Sequence, residues 1–278
     1  MTPTQFSLAH LTVLGVSPID QIDIAAEAGY DFVGLRTTPV AAGEEVASLV
    51  GDSAMVGRVQ ARLADSDVEV LDVELARLGP QDEPDELQGF LEAAAAVGAR
   101  HIVGQLPDPD RSRAIDHFGR LCDLAGDFGL TVDLEFPSWM EVGDLDAAAE
   151  VVAGVGRPNA GILVDTLHFH RSGSSLAELA SLPKEWFRFV QLCDAPLAIP
   201  PTVDEVIHDA RAARVLPGYG HLPLVEVIET LPAVPYSLEV PNDVLREELG
   251  TAEFARLVLT TARQLLANRG LATLGHAT

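Results

Sequence analysis

The chain has 278 residues, of which 47% are hydrophobic, and its formal net charge is −24. This length can bury a substantial core, and the hydrophobic share is ordinary for a globular protein. The negative charge argues against nucleic-acid binding and against binding to anionic membranes, because Lys and Arg supply most of the attraction in both cases.

The apolar runs of the sequence predict a cytoplasmic protein. The N-terminal segment has no basic residues ahead of its apolar run, which argues against a signal peptide. No run reaches the roughly 18 apolar residues of a membrane span. We therefore expect no membrane partner.

Short apolar runs alternate with longer stretches rich in Ala, Leu and Glu along the whole chain. The short runs predict buried strands, and the longer stretches have the composition of helices. Eight strands are predicted: Phe6–Leu14, Asp31–Leu35, Val68–Leu75, His101–Leu106, Leu130–Phe136, Ala160–Val164, Phe187–Leu192 and Tyr236–Val240.

Glycines mark several of the predicted helix ends. The stretches EAGYDFVGL, AVGARHIVGQ and DFGLTVDLEF each place a glycine where a helix turns into a strand, at Gly29, Gly98 and Gly129. The residue after a helix often adopts the left-handed backbone conformation, which costs least free energy in glycine. These three glycines are therefore predicted to end helices. The last helix, TAEFARLVLTTARQLLANRG, is predicted to end at Gly270 for the same reason.

Strands that alternate with helices predict a parallel sheet, and eight such units over this length predict a closed (β/α)8 TIM barrel, an α/β fold. The rival is a doubly wound open sheet, which usually carries a glycine-rich first turn. Here that turn is TVLGVSPIDQ, without the pattern G-x-G-x-x-G. No linker or change of composition divides the chain, so one domain is predicted over residues 1–278.

Polar residues stand at the C-terminal ends of seven of the eight predicted strands, where barrel enzymes carry their chemistry. They are Arg36, Glu74, Gln105, Glu135, Asp165, Gln191 and Glu239. Strand alternation indicates where such side chains point. In TVDLEF, Val132 and Leu134 share one face, and Asp133 and Glu135 share the other. The apolar face is expected to pack on helices, and the polar face is expected to point into the barrel.

Four of these polar residues lie on consecutive strands and are predicted to converge: Glu135, Asp165, Gln191 and Glu239. A single acidic residue at a strand end is more often a helix N-cap or solvated, but three buried carboxylates in one pocket repel one another. A divalent cation removes that repulsion. Three carboxylates and an amide oxygen form an all-oxygen set, which favours Mn²⁺ or Mg²⁺ over Zn²⁺, with Co²⁺ as a substitute.

The motifs DLEF, GILVDTLH, VQLCDA, RVLPGYGHLPL and SLEVP, in this order and spacing, resemble the xylose isomerase-like TIM barrels. That superfamily contains sugar epimerases and isomerases, inosose dehydratases, dehydroshikimate dehydratases and apurinic-site endonucleases. The resemblance covers nearly the whole chain. It implies one metal ion held by the four convergent residues, and it implies that His168 and Arg214 face the substrate.

The sequence departs from parts of this superfamily. Sugar epimerases usually have His where Gln191 stands, and an Arg a few residues later that APLAIP lacks. The additional His and Asp ligands of the endonucleases are also missing. Gln at this position followed by RAARVLPGYG resembles the dehydroshikimate dehydratase branch, whose paired arginines match Arg211 and Arg214 in spacing.

Three functions remain open on this basis. The leading hypothesis is a metal-dependent isomerase or epimerase of a sugar or polyol ketone, in which Glu135 and Glu239 exchange protons and His168 donates to a hydroxyl. The second is a lyase that dehydrates a keto-polyol or cyclic hydroxy-ketone, such as 3-dehydroshikimate or an inosose. The third is a barrel that binds a sugar-like ligand without turnover.

The arginines of RAARVLPGYG and two strand-end residues are expected to contact the substrate, whereas the positions of Gln105 and Asp194 fit a loop hydrogen bond and a site role equally well. Arg214 or Arg211 would anchor a carboxylate or phosphate, and Arg36 and Glu74 would provide further contacts. The expected partner is a small polar molecule, and a homodimer is compatible with the sequence.

Overall fold

Eight parallel strands close into a barrel, and their order around the ring follows their order in the chain. The computed structural model describes residues 4–39 and 46–275. The ring closes where β8 pairs with β1. The strands are β1 (Phe6–Leu8), β2 (Phe32–Arg36), β3 (Glu69–Arg77), β4 (His101–Gln105), β5 (Thr131–Glu135), β6 (Ala160–Asp165), β7 (Val190–Leu192) and β8 (Tyr236–Leu238). The predicted (β/α)8 barrel is confirmed.

Helices connect successive strands and pack around the ring. In the described ranges the α-helices are α1 (Pro18–Ala28), α2 (Ser53–Ala64), α3 (Gln88–Ala96), α4 (Arg111–Gly126), α5 (Leu145–Val155), α6 (Thr166–Arg171), α7 (Leu176–Ser181), α8 (Val203–Ala212), α9 (Leu224–Thr230), α10 (Asp243–Leu249) and α11 (Thr251–Gly275). None of these helices is both long and apolar enough to cross a membrane. The predicted domain limits, residues 1 and 278, lie outside the described residues.

Most of the predicted helix-ending glycines are confirmed. Gly29, Gly98 and Gly129 have φ angles of 89°, 78° and 73°, which is the left-handed conformation that glycine adopts without strain. The prediction for Gly270 is wrong, because α11 continues to Gly275. A glycine inside a helix costs only about 1 kcal/mol relative to Ala, and the next residues are good helix formers.

Only β7 ends at its predicted residue, and four other strands end one residue away from theirs. β8 ends at Leu238 instead of Val240, and the ends of β1 and β3 shape the C-terminal rim of the barrel. β1 stops at Leu8, and a 3-10 helix over His10–Val13 replaces its predicted continuation. β3 continues to Arg77 instead of ending at Leu75. A buried 3-10 turn is as apolar as a strand, so hydrophobicity alone does not separate the two.

Apolar side chains form one layer outside the ring and another inside it. Val132 and Leu134 of β5 pack outward with the helices, as strand alternation predicts. A separate inner cluster consists of Phe32, Leu71, Leu75, Val103, Leu163 and Phe189. Leu163 and Phe189 each lie two residues before a predicted ligand, on the same face of the strand. The inner cluster therefore forms an apolar layer directly beneath the polar strand ends.

Below this layer, a charged network fills the N-terminal end of the barrel. Nη1 of Arg188 donates to Oδ1 of Asp133 at 2.9 Å, and Nη2 donates to the carbonyls of Pro158 and Ala160 at 2.8 and 3.1 Å. The ring of His101 lies 3.5 Å from the same carboxylate. Burial alone would raise the pKa of Asp133, but its contacts with His101 and Arg188 hold that pKa below the ordinary value. This deeper acidic residue therefore has a structural ion pair.

The network predicts that Gly161→Ala destabilises the protein. A Cβ at Gly161 would lie 2.6 Å from the carbonyl oxygen of Trp186 and would also overlap the guanidinium of Arg188. We expect the free energy of unfolding, measured in urea, to fall by about 1–3 kcal/mol, as for other overpacked sites. Gly57→Ala in α2 is the control, since a Cβ there meets nothing within 4 Å. Equal stability of the two variants would contradict this account of the charged network at the N-terminal end of the barrel.

Candidate active site

A cavity of about 400 Å³ opens at the C-terminal ends of the strands. Eight of the nine predicted site residues line it: Arg36, Glu74, Glu135, His168, Gln191, Arg211, Arg214 and Glu239. The ninth, Asp165, is fully buried and bonded to Arg214. The structure thus brings the predicted residues together, and the role of each remains a prediction.

Hydrogen bonds fix both oxygens of the Asp165 carboxylate. Asp165 ends β6 and is the N-cap of α6, so its Oδ1 accepts the backbone N–H groups of Leu167 and His168 at 2.8 and 3.0 Å. Its Oδ2 accepts a hydrogen bond from Nη1 of Arg214. Burial alone would raise the pKa of Asp165, but the charge of Arg214 and the contact with His168 hold it below its ordinary value. Asp165 therefore stays ionised.

Arg214 connects Asp165 to Glu239. The residue is only 1% exposed, and its Nη2 lies 2.9 Å from Oε2 of Glu239. The remaining donors face the backbone: Nε donates to the carbonyl of Ala210 at 2.7 Å, and Nη1 donates to the carbonyl of Glu239 at 3.2 Å. Burial raises the pKa of Glu239 well above its ordinary value, although Arg214 opposes this effect.

The amide of Gln191 is oriented by the same glutamate. Its Nε2 donates to Oε1 of Glu239 at 3.0 Å. Its Oε1 is buried and accepts no hydrogen bond from the described residues. A buried acceptor without a partner costs about 1–3 kcal/mol, so this oxygen is suited to a bound ion or molecule.

The Glu135 carboxylate has a different environment. Its Oε2 accepts a hydrogen bond of 2.5 Å from Nε2 of Gln105, whose Oε1 in turn accepts from Nη2 of Arg77 at 2.8 Å. Its Oε1 lies 3.7 Å from Nε2 of His168. Burial, together with the nearby charge of Asp165, raises the pKa of Glu135 to about 7. Near neutral pH this group can therefore both accept and release a proton.

His168 is buried beside this carboxylate. Burial lowers the pKa of His168 to about 4, so the ring is neutral near pH 7. Trp139 contacts it edge-on, with 5.0 Å between the ring centroids. A neutral imidazole in this position can donate one hydrogen bond into the cavity.

The two outer arginines of the predicted site differ from each other. Arg36 is buried and forms an ion pair of 2.7 Å with Glu74. Arg211, on α8, is exposed at the rim of the cavity and has no hydrogen bond or ion pair with the part of the chain that the structure describes. Arg211 is therefore available to a ligand, whereas the charge of Arg36 is matched within the protein.

The side chains present fit a divalent cation. Glu135, Asp165 and His168 offer ligand atoms that all lie within 4.8 Å of one another. Four buried carboxylates of the site face two buried guanidinium groups, which leaves two negative charges unmatched when all are ionised. The amide oxygen of Gln191, which accepts no hydrogen bond within the described ranges, adds a neutral ligand atom. The geometry also allows a nitrogen ligand, His168, which the all-oxygen hypothesis did not include.

Several residues that line the cavity received no role from the sequence pattern. Arg77 reaches it because β3 is longer than predicted. Gln105 ends β4 and holds Glu135, although its position alone gave no reason to separate it from an ordinary loop residue. Trp139 and Met140 lie in the loop after β5, where no periodicity marks them.

Asp194 fastens the loop after β7 to the turn PGYG. Its Oδ1 accepts the backbone N–H groups of Ala195 and Leu222 at 2.8 and 3.0 Å, and its Oδ2 accepts those of Gly218 and Gly220 at 3.1 and 2.9 Å. A Cβ at Gly220 would overlap this carboxylate. Asp194 is therefore a loop hydrogen-bonding residue, one of the two roles that its position allowed.

The chain belongs to the xylose isomerase-like TIM barrel family, whose model matches residues 22–260. It is 26% identical to the inosose isomerase of Bacillus licheniformis over 190 residues, which are 64% of each chain. It is 30% identical to the 3-dehydroshikimate dehydratase of Pseudomonas aeruginosa over 136 residues, which are 47% of this chain and 21% of the dehydratase. The matched region is thus less than two thirds of either relative.

A solved structure of the same fold is that of the IolI protein with a bound zinc atom. It superimposes with a TM-score of 0.79 and covers 96% of this chain and 99% of its own. The two sequences are 20% identical, so this likeness concerns the fold.

The four bonds to Asp194 predict a stability effect. In Asp194→Ala, four backbone N–H groups lose a charged acceptor, and we expect the free energy of unfolding to fall by about 3 kcal/mol or more. Denaturation in urea measures the difference. Asp116→Ala on the exposed side of α4 is the control and should stay within about 0.5 kcal/mol of the parent protein. A loss no larger than that of the control would refute the fastening role.

Proposed function

We propose that this chain is a divalent-metal-dependent isomerase or epimerase that moves a proton at the carbon next to the carbonyl of a sugar or polyol ketone. One observation carries the proposal. Glu135 ends β5 and Glu239 directly follows β8, three strands further around the ring, and both line one cavity. Asp165 and Gln191 stand on the two strands between them. Two carboxylates placed in this way can act on opposite sides of one substrate.

The relatives support this reaction class. Inosose isomerases are among the proteins to which the chain is most similar, and an inosose is a cyclic polyol ketone. The zinc atom bound to the IolI protein supports a divalent ion in a barrel of this kind. For this chain we propose Mn²⁺ as the ion, because carboxylate and amide oxygens suit it, with Mg²⁺ or Co²⁺ as substitutes.

In the proposed mechanism, Glu135, Asp165, Gln191 and Glu239 hold the ion. When bound, such an ion supplies a Lewis acid that stabilises the negative charge developing as a proton leaves the carbon next to a carbonyl. The apolar layer of the barrel lies directly below these residues and limits access of water from that side.

The protein side chains perform the proton transfers. One of Glu135 and Glu239 removes the proton from carbon, and the other returns a proton from the opposite side. The hydrogen bond from Gln105 to Oε2 of Glu135 leaves Oε1 on the side of His168. His168 donates its N–H to a substrate hydroxyl and steadies it during isomerisation.

A second candidate is a dehydratase of a cyclic hydroxy-ketone such as 3-dehydroshikimate. Arg211 favours it, because this arginine lines the cavity, has no hydrogen bond or ion pair with residues 4–39 and 46–275, and can pair with a substrate carboxylate. The local identity of 30% with a 3-dehydroshikimate dehydratase agrees with this reading. In that reaction His168 would assist the departing hydroxyl.

The metal proposal predicts about one divalent ion per chain after reconstitution with Mn²⁺, and a higher melting temperature than the chelated protein, since the ion binds only the folded site. Gln191→Leu should weaken Mn²⁺ binding, whereas Gln191→His should keep an ion but prefer Zn²⁺ or Co²⁺. Titration calorimetry and elemental analysis measure both effects. The exposed Gln88→Leu is the control. Equal affinities in all these proteins would remove Gln191 from the ligand set.

The acid–base proposal predicts that Glu135→Gln and Glu239→Gln each lower turnover by about 100-fold or more, the effect of losing one general acid–base group. Each variant keeps an oxygen donor, so metal should remain bound, more weakly. Glu141→Gln, an exposed residue in the loop after β5, should leave turnover unchanged. Full activity of both buried variants would end the assignment.

The substrate for this test comes from a screen of keto-sugars, inososes and 3-dehydroshikimate. Isomerisation in D₂O should place deuterium at the carbon next to the carbonyl, which NMR detects. Dehydration instead creates a conjugated product with new ultraviolet absorbance. Binding of a polyol without either signal would favour a non-catalytic barrel.

A further inference from the structure

The guanidinium of Arg214 is held by groups outside the proposed ligand set. Nε donates to the carbonyl of Ala210 at 2.7 Å, and Nη1 lies 3.4 Å from Sγ of Cys193. Nη1 also donates to the backbone carbonyl of Glu239 at 3.2 Å. Asn242 binds the backbone carbonyl of Arg214 at 2.8 Å, which fixes the start of the side chain. The guanidinium is therefore held by further contacts besides the two carboxylates that it binds.

From this fixed position Arg214 sets the orientation of two proposed ligands. Nη1 binds Oδ2 of Asp165, and Nη2 lies 2.9 Å from Oε2 of Glu239. The planar fork of Arg binds two carboxylates with defined directions, which a lysine ammonium does not do. Nε2 of Gln191 donates to Oε1 of Glu239, so the orientation of Glu239 also determines that of Gln191, a third proposed ligand.

We propose that Arg214 is the positioning residue of the metal centre: it aligns Asp165 and Glu239 for one divalent ion and offsets their mutual repulsion before the ion arrives. This inference rests on the proposed metal site and adds a role for a residue that the sequence assigned to the substrate. With its donors engaged inside the protein, Arg214 leaves the recognition of a substrate anion to Arg211.

The test compares Mn²⁺ affinity in the parent protein and two variants. Arg214→Lys keeps the positive charge and loses the fork, and Arg214→Met loses both. Removing a group that orients metal ligands typically costs 10- to 100-fold in metal affinity. We therefore expect the Kd for Mn²⁺, measured by calorimetry, to rise about 10-fold in Arg214→Lys and about 100-fold in Arg214→Met. The lysine variant thus rescues part of the loss.

Arg36→Lys is the matched control. Arg36 is also buried at this cavity, but its partner is Glu74, which is not among the proposed ligands. Its Kd for Mn²⁺ should stay within about twofold of the parent protein, since the charge is kept and no proposed ligand loses a partner. Melting temperatures of all proteins in excess chelator show whether a variant is folded without metal. If Arg214→Met is unfolded, the Kd values of Arg214→Lys and Arg36→Lys are compared instead.

The outcomes separate this inference from the proposed function. Metal binding by the parent protein with an unchanged Kd in Arg214→Lys would overturn the positioning role alone. Equal weakening in Arg36→Lys and Arg214→Lys would also overturn it, because the effect would then belong to the cavity as a whole. A parent protein that binds no divalent ion would overturn the metal-dependent function and the positioning role with it.

Discussion

The mutual repulsion of buried carboxylates is the constraint on which this site depends. Glu74, Glu135, Asp165 and Glu239 are all withdrawn from water at one end of the barrel. Ionised carboxylates are stable there only beside positive charge. Arg36 and Arg214 together neutralise two of the four negative charges. The rest is met by protonation or by a cation. Burial, and after it the nearby charge of Asp165, raises the pKa of Glu135 to about 7, which makes this group suitable as a proton carrier.

The barrel tolerates this concentration of charge because apolar packing surrounds it. Each strand sends alternate residues inward, so Leu163 and Phe189 form an apolar layer two residues before Asp165 and Gln191. The strand ends are fixed by this layer from below and by the outer core from the side. Apolar packing thus fixes the strand ends, and hydrogen bonds from Gln105, Arg214 and the start of α6 then orient the carboxylates.

Strand periodicity was sufficient to predict the barrel and most of the convergent residues, because a parallel ring brings all strand ends to one rim. It was insufficient for Arg77, because the end of β3 depends on pairing with neighbouring strands. It also missed the end of α11, since a glycine does not by itself stop a helix. The partners of Arg214 could not be predicted, because ion pairs between residues 49 positions apart are set by three-dimensional packing.

The fastening of two rim segments by Asp194 has a consequence for how such a protein can diversify. Four backbone bonds tie the loop after β7 to the PGYG turn, and Gly220 tolerates no side chain against the carboxylate. Because the four donors are backbone N–H groups, a change of side chain in either segment leaves the junction intact unless it falls on Asp194 or Gly220 or introduces a proline. Exposed side chains between the two segments, such as that of Arg211, can therefore change and alter substrate preference while the backbone of this part of the rim stays in place.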